Sequence, residues 1–148
     1  MENNAPGRLK LKVTGILYII SAAISIIMGL LFIAGGVAFS TIDETTSPYG
    51  SFLGAVAGGI GVVVIISAVY SLVMGILGVK NSNKPEKCGV NFVLGVIMTV
   101  FAVIGLIIYI ASGAVSSIVT GIVALVISVI YTVGAKQNKD ASRSAGDF

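Results

Sequence analysis

The run VTGILYIISAAISIIMGLLFIAGGVAFS, residues 13–40, contains 28 residues without a charged side chain. It is apolar all round when it is read at the helical period of 3.6 residues, whereas a surface helix of a soluble domain keeps one polar face. A membrane-spanning helix needs about 20 consecutive apolar residues. The run therefore predicts a transmembrane helix.

Three further runs without charge, of 22 to 28 residues each, follow at 52–79, 89–111 and 114–135. Of all residues, 56% are hydrophobic and 10% are charged, against roughly a quarter charged in soluble domains. Strands of a transmembrane barrel are about ten residues of alternating polarity, which these runs are not. We predict an all-α integral membrane protein with four helices at about 13–40, 52–79, 86–111 and 114–135, between a disordered cytoplasmic arm, 1–12, and a disordered cytoplasmic tail, 136–148.

Positive charges lie at the two chain ends and between the second and third runs, and the other two links between runs have none. All nine cations precede the first run, separate the second from the third, or follow the fourth: Arg8, Lys10, Lys12, Lys80, Lys84, Lys87, Lys136, Lys139 and Arg143. Because lysine and arginine mark the cytoplasmic side, we predict a four-helix bundle of two antiparallel hairpins in the cell membrane, with both termini cytoplasmic. The net charge of +3 then reflects topology and attraction to the lipid bilayer. No nucleic-acid partner is expected, since no basic face with interleaved aromatics occurs.

Small residues recur at intervals of four in the first two runs. SAAISIIMG, residues 21–29, has a close copy in SAVYSLVMG, residues 67–75. Helices in lipid associate through close packing and hydrogen bonds, which favour such residues. A hairpin folded at the intervening loop pairs positions whose numbers sum to about 92, so that Ser25 would face Ser67. This predicts a helix-packing seam, with a ligand site as the alternative, at Ser21, Ser25, Gly29, Ser67, Ser71 and Gly75.

The fourth run carries the longest series of small and hydroxyl residues. At four-residue intervals it presents Ser116, Thr120, Ala124, Ser128 and Thr132. Such a face suits a contact between subunits, because small residues let helices approach closely. Rings of hydroxyl-bearing helices can also line a hydrated pore. Both uses stay open on the sequence alone.

Residue types that support catalysis or ion coupling are missing from the runs. The chain has no histidine, and no Asp, Glu, Lys or Arg lies inside a run. Proton-coupled transporters keep such groups, a serine without a base is a poor nucleophile, and no cluster has metal-ligand spacing. We expect no enzyme activity and no cofactor or metal. Asn91 predicts an interfacial cap or an interhelical hydrogen bond, and the single cysteine, Cys88, is expected to be inert.

The cytoplasmic ends of the second and fourth runs carry similar polar motifs. Residues 75–87 read GILGVKNSNKPEK, and residues 133–139 read VGAKQNK. In these motifs and in its topology the chain resembles small bacterial four-span membrane proteins of unknown function. The resemblance implies a fold and transfers no catalytic residue.

Small-residue stripes without embedded charge favour a non-enzymatic function. We expect a tetraspan scaffold or accessory subunit that associates with itself, as a homo-oligomer, or with another membrane protein. The alternative is a homo-oligomeric channel or conduit for small or apolar solutes, lined by the helix-four hydroxyls.

Overall fold

A computed structural model of the protein describes residues 5–41, 49–113 and 115–144. Within these ranges the chain is helical apart from short links and contains no strand. The four helices are α1 (Arg8–Ser40), α2 (Gly50–Asn81), α3 (Cys88–Ser112) and α4 (Val115–Ser144), with one 3-10 turn at Pro85–Lys87 before α3. The prediction of an all-α chain with four long helices is confirmed.

All four helices are long and apolar enough to cross a membrane. They contain 25 to 33 residues, which at 1.5 Å of rise per residue span about 38–50 Å, more than a hydrocarbon core of about 30 Å. Most of their large apolar side chains are exposed. In a soluble domain these side chains would form the core, so their exposure calls for an apolar environment around the helices.

The contacts within the chain divide it into two compact units. Unit 1 comprises residues 1–17 and 74–148, and unit 2 comprises residues 18–73. Unit 2 therefore holds most of α1 and most of α2. Unit 1 holds the start of α1, the end of α2, and the whole of α3 and α4.

In unit 2, the backbones of α1 and α2 approach each other closely at four glycines. A Cβ added at Gly36 would lie 2.7 Å from the carbonyl oxygen of Gly54, and one added at Gly61 would lie 2.7 Å from that of Gly29. Only glycine fits at such a separation. We call these four residues the glycine seam. The numbers of contacting residues sum to 90 or 94, close to the register that the position of the loop predicts.

In unit 1, α3 packs along α4, and Gly113 makes the turn between them. Gly113 has the left-handed φ of 70°, and its N–H donates to the carbonyl of Ile110 at 3.2 Å. An added Cβ at Gly95 would meet Thr132, and one at Gly121 would meet Tyr109. Early residues of α3 thus lie beside late residues of α4.

Helices α1 and α4 extend into segments for which the sequence predicts disorder. Helix α1 begins at Arg8, within the expected arm, and α4 continues to Ser144, well into the expected tail. The physical reason is that these polar ends pack on each other: the backbone N–H of Gly7 donates to the side-chain oxygen of Asn138 at 2.7 Å. Residues 1–4 and 145–148 lie outside the described residues, as do residues 42–48 of the loop between the first two predicted helices.

Candidate functional site

A continuous chain of buried hydrogen bonds runs through unit 1. It connects the start of α1, the end of α2, the link to α3, the first turns of α3, and α4. We call it the asparagine network, and its members are Gly7, Met74, Asn81, Ser82, Cys88, Asn91, Tyr131 and Asn138.

One half of the network, which we call the inner half, consists of Met74, Asn81, Asn91 and Tyr131. It centres on Tyr131. Its hydroxyl donates to the backbone carbonyl of Met74 at 2.8 Å and accepts from the Asn91 side-chain amide at 2.9 Å. The Asn91 oxygen in turn accepts from the Asn81 amide at 2.7 Å. Tyr131 and Asn91 are fully buried. These three bonds join α2, α3 and α4.

The outer half centres on Asn138, which is also fully buried. Its side-chain oxygen accepts from the N–H of Gly7, and its amide donates to the carbonyl of Ser82 at 3.2 Å and lies 3.6 Å from the sulfur of Cys88. The Cys88 thiol donates to the carbonyl of Asn81 at 3.3 Å. The outer half thus ties both ends of the described chain to the α2–α3 link.

Local sequence explains why these groups can meet. Tyr131 and Asn138 are seven residues apart on α4, which places them on the same face two turns apart. Gly78 leaves room for the Tyr131 ring, since an added Cβ would lie 2.8 Å from a ring carbon. Gly134 leaves room for the start of α1, since an added Cβ would lie 3.0 Å from that of Lys10.

The network is closed on itself. Among the described residues, every buried side-chain nitrogen and oxygen has a hydrogen-bond partner. Amides and hydroxyls carry no charge, so burying them at the end of an apolar helix pair costs far less free energy than burying ions. The hydrogen bonds of the network connect α2, α3 and α4, and Asn91 forms an interhelical bond rather than a cap.

The network draws the three basic segments of the chain together at one end of unit 1. Each segment contains or adjoins a network member: Gly7 precedes the first, Ser82 lies in the second, and Asn138 lies in the third. Two cations also make contacts of their own. The ammonium of Lys10 donates to the Gln137 side chain at 3.1 Å, and that of Lys139 lies 4.9 Å from the centre of the Phe92 ring.

The serines of the predicted seam lie away from the glycine seam. Ser21 and Ser67 are exposed, and Ser25 and Ser71 are half-buried, whereas Gly29 and Gly75 are buried. The Ser67 hydroxyl donates to the carbonyl of Val63, one turn earlier on its own helix, at 2.9 Å. A helical serine can satisfy itself in this way and needs no partner helix. Of the six residues predicted for the seam, Gly29 and Gly75 lie at close approaches of α1 and α2, whereas the four serines are exposed or half-buried.

The sequence pattern that marks the glycine seam is a spacing of seven residues rather than four. A seven-residue period keeps side chains on one face when two helices wind around each other left-handed. All members of the two series are buried; they are Gly15, Ala22, Gly29 and Gly36 on α1, and Gly54, Gly61, Ala68 and Gly75 on α2. In unit 1 the series brings Gly15 against the carbonyl of Gly75, which an added Cβ would approach to 2.9 Å.

The predicted hydroxyl face of α4 divides into two halves. Ser128 is buried and donates to the carbonyl of Leu125, and the Thr132 hydroxyl lies 3.2 Å from that of Thr99 on α3. Ser116, Thr120 and Ala124 are exposed. Thr132 thus contacts α3 and Ser128 is buried, whereas Ser116, Thr120 and Ala124 remain on the surface.

The exposed half borders a small polar groove at the end of unit 1 nearest to Gly113. The groove has a volume of about 150 Å³ and is lined by Tyr109, Ser116, Ser117 and Thr120. The Thr120 hydroxyl donates to the carbonyl of Ser116 at 3.0 Å. We call this the hydroxyl groove.

Among the described residues, no three His, Cys, Asp or Glu side chains come close enough to hold a metal ion. Comparisons of the chain with protein families, with curated proteins and with solved structures give no match.

Proposed function

We propose that the protein is a multi-pass membrane protein of the small bacterial four-span type, which acts as a non-enzymatic scaffold or accessory subunit. One observation carries the proposal: many large apolar side chains of all four helices are exposed, while every buried side-chain nitrogen and oxygen of the described residues has a hydrogen-bond partner. A protein built in this way offers its outer surface, rather than an interior site, for interaction.

In the proposed topology, α1 with α2 and α3 with α4 cross the cell membrane as two antiparallel hairpins. The end of unit 1 that holds the asparagine network faces the cytoplasm. The support is electrostatic: the basic segments belong to this end, and cations are retained on the cytoplasmic side. Both chain ends are then cytoplasmic.

The surface proposed for association lies on α3 and on the part of α4 that carries Ser116, Thr120 and Ala124. Only 6% of the most apolar stretch of α3 is buried within the protein, so lipid or another protein must cover it. The hydroxyl groove lies beside this surface. Ser116, Thr120 and Ala124 are small and exposed, so another helix can approach α4 closely here, which favours a helix over acyl chains as the neighbour. We propose a second copy of the chain, or another membrane protein, as the partner.

A homo-oligomeric channel is the second candidate, and the exposed hydroxyls of Ser116 and Thr120 are the observation that favours it. A pore would need a polar lining along its whole length. Ser128 and Thr132 are engaged within unit 1, which leaves a polar lining over only about half of α4. We therefore prefer the contact between subunits.

Cross-linking in native membranes tests the proposed association. We expect Thr120→Cys, treated with a short bismaleimide, to give one defined adduct with a second copy or a partner protein. Val63→Cys is the matched control, because Val63 is 63% exposed but lies on α2 in unit 2. We expect little cross-linking there. A chain that forms no adduct at Thr120 and elutes as a monomer from mild detergent would contradict the proposal.

A further inference from the structure

We infer that a groove between the end of α2 and the start of α3 binds the headgroup of an anionic glycerophospholipid through its phosphodiester. The inference rests on the proposed membrane insertion and adds a specific lipid ligand to it. The groove has a volume of about 410 Å³, within the range of small-molecule sites. Its lining residues are Leu77, Lys80, Asn81, Glu86, Lys87, Gly89 and Val90.

One side of the groove is apolar and the other carries positive charge, which is the arrangement that an anionic lipid requires. Leu77 and Val90 belong to the apolar surfaces of α2 and α3, and Val90 is 58% exposed. Lys80 is exposed near the end of α2, and Lys87 is exposed in the 3-10 turn that precedes α3. A phospholipid has the matching order, with acyl chains beside the apolar pair and a phosphate beside the two ammonium groups.

The charge around the groove is not balanced within the protein. The described part of the chain contains two acidic residues, Glu86 and Asp140, and all nine basic residues. Lys10 and Lys139 have contacts with Gln137 and Phe92, whereas no such contact among the described residues occupies Lys80 or Lys87. Two ammonium groups at one groove near a bilayer surface attract an anion.

Glu86 narrows the choice of headgroup. Its carboxylate lines the same groove as the two lysines, and it accepts hydrogen bonds but donates none. A headgroup with hydroxyls next to the phosphate, as in phosphatidylglycerol, can donate to Glu86 while its phosphodiester contacts Lys80 and Lys87. Inorganic phosphate has no acyl chain for the apolar side, so the lipid fits the groove better.

The test measures lipid retention by native mass spectrometry of the full-length protein, released from nanodiscs of phosphatidylcholine alone or mixed with phosphatidylglycerol, phosphatidic acid or both. We expect the intact protein to retain phosphatidylglycerol in preference to phosphatidylcholine. The double variant Lys80→Gln, Lys87→Gln should bind phosphatidylglycerol about 10- to 30-fold more weakly. Lys136→Gln, Arg143→Gln removes the same charge from exposed positions on α4 and should change the affinity less than about twofold. Glu86→Gln should reduce the preference for phosphatidylglycerol over phosphatidic acid, which has no headgroup hydroxyls beyond its phosphate.

Any of four results would overturn the inference. Equal losses in the two double variants would mean diffuse attraction to the surface charge. Displacement of the lipid by inorganic phosphate at equal concentration would mean a site for free anions, and displacement by an acidic peptide would mean a site for a protein partner. Insertion is checked in the same nanodiscs by the protection of α1–α4 from protease. An inserted chain without lipid preference overturns this inference alone, whereas a chain that does not insert overturns the proposed function as well.

Discussion

Replacement of Gly36 by alanine is expected to destabilise the protein by about 1–3 kcal/mol, the usual cost of overpacking a close contact. The added Cβ would lie 2.7 Å from both the carbonyl oxygen of Gly54 and the backbone nitrogen of Gly58. Neither atom belongs to a flexible side chain, so α1 and α2 must move apart. Reversible unfolding in mixed micelles with increasing dodecyl sulfate measures the change.

The neighbouring Gly35 supplies the control. A Cβ added at Gly35 meets no atom within 4 Å, and alanine in a helix is favoured over glycine by about 0.5–1 kcal/mol. Gly35→Ala should therefore stabilise the protein slightly or leave it unchanged. On α2, Gly61→Ala and Gly59→Ala form the same pair, because an added Cβ at Gly61 would meet the Gly29 carbonyl and one at Gly59 meets nothing. If each pair of variants shifted stability in the same direction, the glycine seam would be refuted.

The asparagine network gives the second large effect. Asn91→Leu should cost about 2–5 kcal/mol, because it leaves the Asn81 amide without its acceptor and the Tyr131 hydroxyl without its donor, both inside the protein. Tyr131→Phe keeps the ring and removes only the hydroxyl, so it should cost about 1–2 kcal/mol. The same unfolding titration measures both variants.

Asn83→Leu is the matched control for this prediction, because Asn83 is an exposed asparagine in the α2–α3 link. It should change the stability by less than about 0.5 kcal/mol. Combining Asn91→Leu with Tyr131→Phe should cost less than the sum of the two single variants, since both break the same bond. A strictly additive pair, or an Asn91→Leu variant as stable as Asn83→Leu, would show that the network does not hold the helices together.

The helices themselves could be predicted from the sequence, because an apolar run of the length of residues 13–40 has few other stable structures. The register of α1 against α2 could be predicted as well, since it follows from the position of the intervening loop. The faces through which α1 and α2 pack on each other could not be derived from a spacing of four residues alone. Spacings of four and seven overlap at Gly29 and Gly75, and the close approach at Gly36 and Gly54 separates them.

The asparagine network was harder to predict. Asn91 stands out as an amide inside an apolar run, but Asn138 lies in a polar stretch that is typical of a disordered tail. Its burial depends on Gly7, 131 residues away along the chain. Such a long-range bond has no local signature. The same contact explains why the predicted arm and tail are partly helical.

The most direct test of the account asks which side of the membrane each end of the helices faces. Single cysteines are introduced by Asn83→Cys in the α2–α3 link and Tyr49→Cys just before α2. Both positions are exposed, whereas the native Cys88 is buried. Cells are then treated with a membrane-impermeant maleimide. We expect Tyr49→Cys to be labelled in intact cells and Asn83→Cys to be labelled only after the membrane is permeabilised. Labelling of both sites in intact cells, or of Asn83→Cys alone, would contradict the proposed topology.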